Sequence, residues 1–141
     1  MKYLRWLLVV ALALYALMSA IPACFTTLYK LRLLALPDMV KSHGALMDSM
    51  SWPQILVWWA AIVLFVISAV RLARRQGKAF LVWVAAYVLD VLGWLWMQGP
   101  AYDATFPADQ RQSDYVFLGI MAVIGALILW VERRGGAKPV V

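Results

Sequence analysis

The residue in this chain whose position most demands a chemical explanation is Asp90. It lies within the apolar run 80–97, FLVWVAAYVLDVLGWLWM, where an acidic side chain at the centre of a membrane helix costs about 2.5–3.5 kcal/mol. On a helix its face also carries Trp83, Tyr87 and Trp94, three to seven residues away along the same stripe. Tyr87 is spaced to donate its hydroxyl to the carboxylate, and Gly93 to admit a neighbouring helix. No basic residue stands at that depth in the other apolar runs. The chemistry open to such a group is a proton or cation site, or a polar contact to a ligand such as a quinone. The plainer role is a neutral acid bonded to Tyr87, Ser68 or a backbone carbonyl, holding helices in register.

A second set is Met39, His43 and Met47. If the segment from 38 to 49 is helical, a spacing of four puts all three on one stripe. Thioether sulfur with imidazole suits copper(I), and Cys24 is a further soft donor; His43 with a methionine also forms an axial pair for haem. A lone histidine in a loop is more commonly just solvated, and Gly44 weakens the helix the stripe requires. Serine-histidine-aspartate sets, CxxC, HExxH, P-loop and GxGxxG motifs are missing from the chain, so hydrolysis and group transfer have little machinery to use. The expectation is a protein without catalysis of its own, and with no cofactor specified beyond the copper or haem option.

The elements that must position these residues follow from composition. In 141 residues, 65% are hydrophobic and 14% charged, against roughly half and a quarter in soluble domains. A soluble fold of this size cannot hide that much apolar surface. Four apolar runs stand out, and each reaches the ~20 residues that cross ~30 Å of hydrocarbon once its flanks are added. Helices are therefore expected over about 4–23, 53–72, 79–98 and 114–132, with outer loops 24–52 and 99–113, in one polytopic domain of residues 1–141. Backbone groups in lipid must be satisfied within the segment, which makes the spans helical. Ser51-Trp52-Pro53-Gln54 reads as a capping box opening the second span. Ser113 or Asp114 is the expected cap of the fourth, and Gly77, Gly99 and Gly135 are expected stops.

Orientation comes from the cations. With both termini and the middle turn on one side, that side holds Lys2, Arg5, Arg71, Arg74, Arg75, Lys78, Arg133, Arg134 and Lys138, nine of thirteen Lys and Arg. The positive-inside rule then puts both termini in the cytoplasm, and the short, biased connections fit a bacterial inner membrane. The +6 net charge is a topology signal, and nothing in the chain resembles a nucleic-acid-binding module. Met1-Lys2, the first run and Ile21-Pro22-Ala23-Cys24 have the outline of a lipoprotein signal, but Pro22 is a poor residue before a cleavage pair. An uncleaved helix, ended or kinked at Pro22 with Cys24 buried, is expected, and the following FTTLYKLRLLAL either continues that helix or lies along the outer interface. The first outer loop is long enough to be partly helical, and the second is expected to be irregular.

Small residues are the expected packing faces: Ala13, Ala16 and Ala20 on the first helix, and Gly119, Ala122, Gly125 and Ala126 on the fourth. Such spacing lets backbones approach where lipid supplies no hydrophobic drive. The fold class is thus an all-α membrane protein, a bundle of four transmembrane helices. Its leading functional expectation is a non-enzymatic accessory or scaffolding subunit of a larger membrane assembly, touching lipid and other subunits or further copies of itself. The alternatives are an oligomeric transporter or channel component working through Asp90, and an outer-face copper or haem protein. The orientation is testable with alkaline phosphatase, which is active only outside the cytoplasm: a fusion after Asp109 should be active and one after Arg134 inactive. The opposite pattern inverts the topology.

Overall fold

The computed structural model describes residues 1–35 and 43–135. Among these residues there are six helices and no strand: α1 Lys2–Lys30, α2 Gly44–Ser49, α3 Trp52–Ala73, α4 Ala79–Met97, α5 Pro100–Thr105 and α6 Ala108–Arg134. Four of them, α1, α3, α4 and α6, are long and apolar enough to cross a membrane, which makes the chain a multi-pass helical membrane protein. The exposed side chains along these four are themselves apolar, among them Leu7, Leu14, Leu56, Val63, Leu81, Leu92 and Val123. Apolar exposure on that scale is what a lipid-facing surface presents. The short helices α2 and α5 lie at the end of the bundle away from the two termini.

Two boundaries differ from the sequence expectation, those of α6 and α5, and a third, the end of α1, falls on the longer of the two alternatives and past residue 23. Helix α1 runs through Pro22 for two further turns. A proline removes one ladder bond, and the hydroxyls of Thr26 and Thr27 supply extra donors beside it, bonding Pro22 O at 2.8 Å and Ala23 O at 2.7 Å. Cys24 is exposed and not buried, because the continuing helix turns Ala23 and Thr26 inward instead. Helix α6 opens at Ala108 behind Pro107, a turn and a half before Asp114. Ser113 and Asp114 therefore lie inside the helix and cap nothing. The second loop, expected irregular, contains α5, which Pro100 starts.

Helix α6 ends at Gly135 as expected, whereas the stop of α3 uses another residue than Gly77. At the end of α3 the left-handed position belongs to Arg75, at φ 57°, with Gln76 N–H bonding Arg71 O at 2.8 Å and Arg75 N–H bonding Leu72 O at 3.3 Å. This is a Schellman closure in which a non-glycine side chain accepts roughly 1 kcal/mol of backbone cost. Helix α1 closes in the same way, with Arg32 at φ 58°. Gly77 instead offers its carbonyl to the Arg71 guanidinium at 3.0 Å. The start of α4 is capped from across the bundle, since the Glu132 carboxylate accepts the N–H groups of Lys78 and Phe80, the latter at 2.9 Å. An acid at a helix N-terminus answers both its orphan donors and its dipole.

Helix α3 is the centre of the packing. It lies along both α1 and α4, while α6 closes the ring with looser contact to α4 and α1. Leu12, Phe65, Met121, Ile128 and Val131 are fully buried between them. Ser68, wholly buried, ties the hairpin of α3 and α4 by donating to Ala79 O at 2.9 Å. The expected small-residue faces divide. Ala16 and Gly125 are buried and Ala20 is half-buried, but Ala13, Gly119, Ala122 and Ala126 face outward. Spacing alone identifies a stripe, and the azimuth of each helix in the ring decides which part of it meets a neighbour.

Gly125 is the closest approach. A Cβ there would stand 2.2 Å from the Trp83 ring, whereas one at Gly119 would meet nothing within 4 Å. Gly125→Ala should therefore destabilise the bundle by about 1–3 kcal/mol, the usual cost of overpacking, and Gly119→Ala should be close to neutral. Thermal unfolding of the two variants in detergent checks this; equal melting temperatures would mean that α6 does not seat on Trp83.

Candidate functional site

Between α1, α3, α4 and α6, in the half of the bundle nearer α2 and α5, the helices leave a cavity of about 260 Å³. A cavity of about 150 Å³ is enough to take benzene, so this one is a ligand-sized space. It exists because of residue size and spacing. Gly93 on α4 and Ser19 on α1 place little bulk at their levels, while Tyr15, Trp58, Trp94 and Phe117 stand around the space as walls.

Two carboxylates line it, one from each of two helices: Asp90 of α4 and Asp114 of α6. Asp90 Oδ2 accepts the hydroxyl of Tyr15, which reaches it from α1. The Tyr15 ring is held edge-on against Phe65, centroids 5.2 Å apart, so the donor is positioned by packing before the hydrogen bond forms. Asp114 Oδ2 accepts the Trp94 indole N–H at 3.2 Å and the Tyr102 hydroxyl from α5. Asp114 is thus level with Trp94, and Asp90 lies one helical turn, about 6 Å, deeper.

The remaining polar groups of the walls are equally committed. Trp58 donates its indole N–H to Ser19 Oγ at 2.8 Å. Gln54 accepts the Ser51 backbone N–H at 2.6 Å, completing the capping box, and donates to Trp96 O at 3.2 Å. Each bond joins different helices or fixes a helix start, so the cavity wall is tied together across the bundle.

The site residues expected from sequence separate here. Asp90 and Trp94 reach the cavity; Tyr87 and Trp83 do not line it. Tyr87 does not bond Asp90 but donates to Leu118 O on α6 at 3.0 Å. Trp83 stacks between Phe80 and Tyr87, at centroid distances of 5.9 and 4.9 Å, with its ring over Gly125. Its buried indole N–H has no partner among the described residues. Ser68, the other proposed partner of Asp90, bonds Ala79 O. Tyr15 and Asp114 complete the site, and neither is marked as a site residue by sequence spacing. Tyr15 carried a signal, as a hydroxyl deep in the first apolar run, while Asp114 was absorbed as a helix cap.

Of the Met39–His43–Met47 stripe, Met39 lies outside the described residues. His43 precedes α2 and its ring meets Phe106 edge-on at 5.5 Å, and Met47 is buried. Among the described residues no three of His, Cys, Asp or Glu are grouped to hold a metal ion. Comparison with protein-family models, curated proteins and solved structures finds no match for this chain.

Burial, and then the hydrogen bond to Asp114, push the Tyr102 phenol up from its ordinary value of 10.0 to about 12. The neutral phenol is the form the fold favours. Its contribution is whole below pH 10 and is lost as pH rises toward 12, where the folded chain must also ionise it. In an ultraviolet tyrosinate titration, Tyr102→Phe should remove a late step near 12. Loss of a step near 10 would show that Tyr102 is not held against Asp114.

Proposed function

We propose that this chain is a membrane-embedded binding component of a transport or channel system, taking a small ligand into the space between α1, α3, α4 and α6. The observation that carries the reading is a ligand-sized cavity with a carboxylate, Asp90, about half-way along α4. A structural acid would be expected in tight packing with its charge or proton enclosed; here it borders open volume with aromatic walls. Among the described residues the frame holds no activated nucleophile beside a base, so binding and passage fit better than catalysis. A bacterial inner membrane with cytoplasmic termini belongs to the same proposal and rests on the distribution of lysine and arginine.

A second reading, an accessory subunit of a larger assembly, is favoured by one feature. Gly119, Ala122 and Ala126 form an outward stripe on α6, the kind of surface on which another membrane helix packs.

Native mass spectrometry of the gently extracted protein separates the two. The cavity reading expects a bound small molecule in the wild-type chain, excluded by Leu118→Trp, which fills the space, and held about tenfold more weakly (1.4 kcal/mol) by Asp90→Asn. A second polypeptide at fixed stoichiometry, with no small molecule in any variant, would replace it with the accessory-subunit reading.

A further inference from the structure

We infer that the occupant of the cavity is a small organic monocation with an apolar or aromatic body, its charge set against the carboxylates of Asp90 and Asp114. The inference rests on the reading of the cavity as a ligand site and names the class of ligand.

Among the described residues the indole N–H and phenolic O–H groups of the wall are already given away, Tyr15 to Asp90, Trp58 to Ser19 and Trp94 to Asp114, and Gln54 gives one of its two amide N–H groups to Trp96 O. Among the described residues the Ser19 hydroxyl and the second Gln54 amide N–H are left to donate. An anion, or a ligand rich in acceptors, would be desolvated here with almost nothing to bond. Acceptors are in surplus. A carboxylate offers about four lone-pair sites, and the described donors all fall on Oδ2 of each acid. The two Oδ1 atoms have no described donor. Among the described residues no lysine, arginine or histidine lines the space, so the negative charge has no cation from them.

The walls narrow the class further. A bare divalent ion such as calcium takes six to eight oxygen ligands, and this lining is mostly aromatic and aliphatic. Aromatic faces beside carboxylates are instead the environment that stabilises a poorly hydrated ammonium through the ring quadrupole. The volume of about 260 Å³ leaves room for a cationic head and one ring. The staggering of the two acids by about one turn gives the cation a shallow partner, Asp114, before the deep one. Tyr102 of α5 sits on the shallow one.

The test compares benzyltrimethylammonium with neopentylbenzene, its neutral isostere, on the purified full-length chain in a nonionic detergent, read by quenching of tryptophan fluorescence. The charge of the first probe is permanent, so protonation of the ligand does not enter. The cation should bind saturably and about tenfold or more tighter than the isostere. That preference should disappear in the Asp90→Asn/Asp114→Asn double variant, and Leu118→Trp should abolish saturable binding of both probes. Equal or tighter binding of neopentylbenzene would overturn the cationic class while leaving the cavity as a ligand site. Saturable binding of neither probe would overturn both. The wild-type comparison decides the matter even if the double variant does not fold.

Discussion

A polar side chain inside hydrocarbon has no water to fall back on, so its partner must come from protein, and in this bundle the Trp83 indole is the described exception. That constraint organises the structure. Tyr15 reaches Asp90, Trp58 reaches Ser19, Trp59 reaches Thr27, Tyr87 reaches Leu118 O and Trp94 reaches Asp114, and every one of these bonds crosses between helices. Individual interhelical bonds in membranes are modest, about 0.6 kcal/mol on average in one measured system. Their combined effect here is geometric. Apolar packing leaves a helix free to rotate or slide among similar arrangements, and a set of directional bonds on four helices selects one of them.

The two halves of the bundle use this frame differently. Near the termini the packing is dense: Ser68 locks the hairpin of α3 and α4, Glu132 caps α4 from α6, and Trp83 fills the space over Gly125. Toward α2 and α5 the same helices are held apart by large aromatic residues whose polar atoms are tied down, and the space between them remains open. A cavity in a membrane bundle persists when its walls cannot collapse, and fixed indoles and phenols are poor at collapsing. The carboxylates therefore face a space that side-chain rearrangement does not readily close. That condition is the physical basis for reading Asp90 and Asp114 as a binding pair rather than as isolated structural acids.

The four spans and the conspicuous position of Asp90 were legible in the sequence because both are one-dimensional facts. A run of about twenty apolar residues is long enough to cross hydrocarbon whatever surrounds it, and an acid within such a run is costly wherever its partner lies. The start of α6 was not legible. Its first turns, ADQRQSD, are polar and read as loop, although a helix that rises out of the membrane has every reason to be polar there. The continuation of α1 past Pro22 was open for a similar reason, since one missing ladder bond does not end a helix whose next residues have tertiary partners.

Partnership is what only the tertiary structure decided. Residues three or four apart on one helix are the neighbours that sequence spacing can name, which is why Tyr87 looked like the donor to Asp90. The donor is Tyr15, from a helix 75 residues earlier in the chain, and the second carboxylate of the site, Asp114, comes from α6. Likewise spacing marked Gly119, Ala122, Gly125 and Ala126 as one small-residue face, and the seating of α6 on Trp83 turned Gly125 inward and the others out. Hydropathy is a property of each residue summed along the chain, so sequence determines that these helices exist and cross. The rotation of each helix about its own axis depends on how all four pack at once, and it is that rotation which selects the groups that meet.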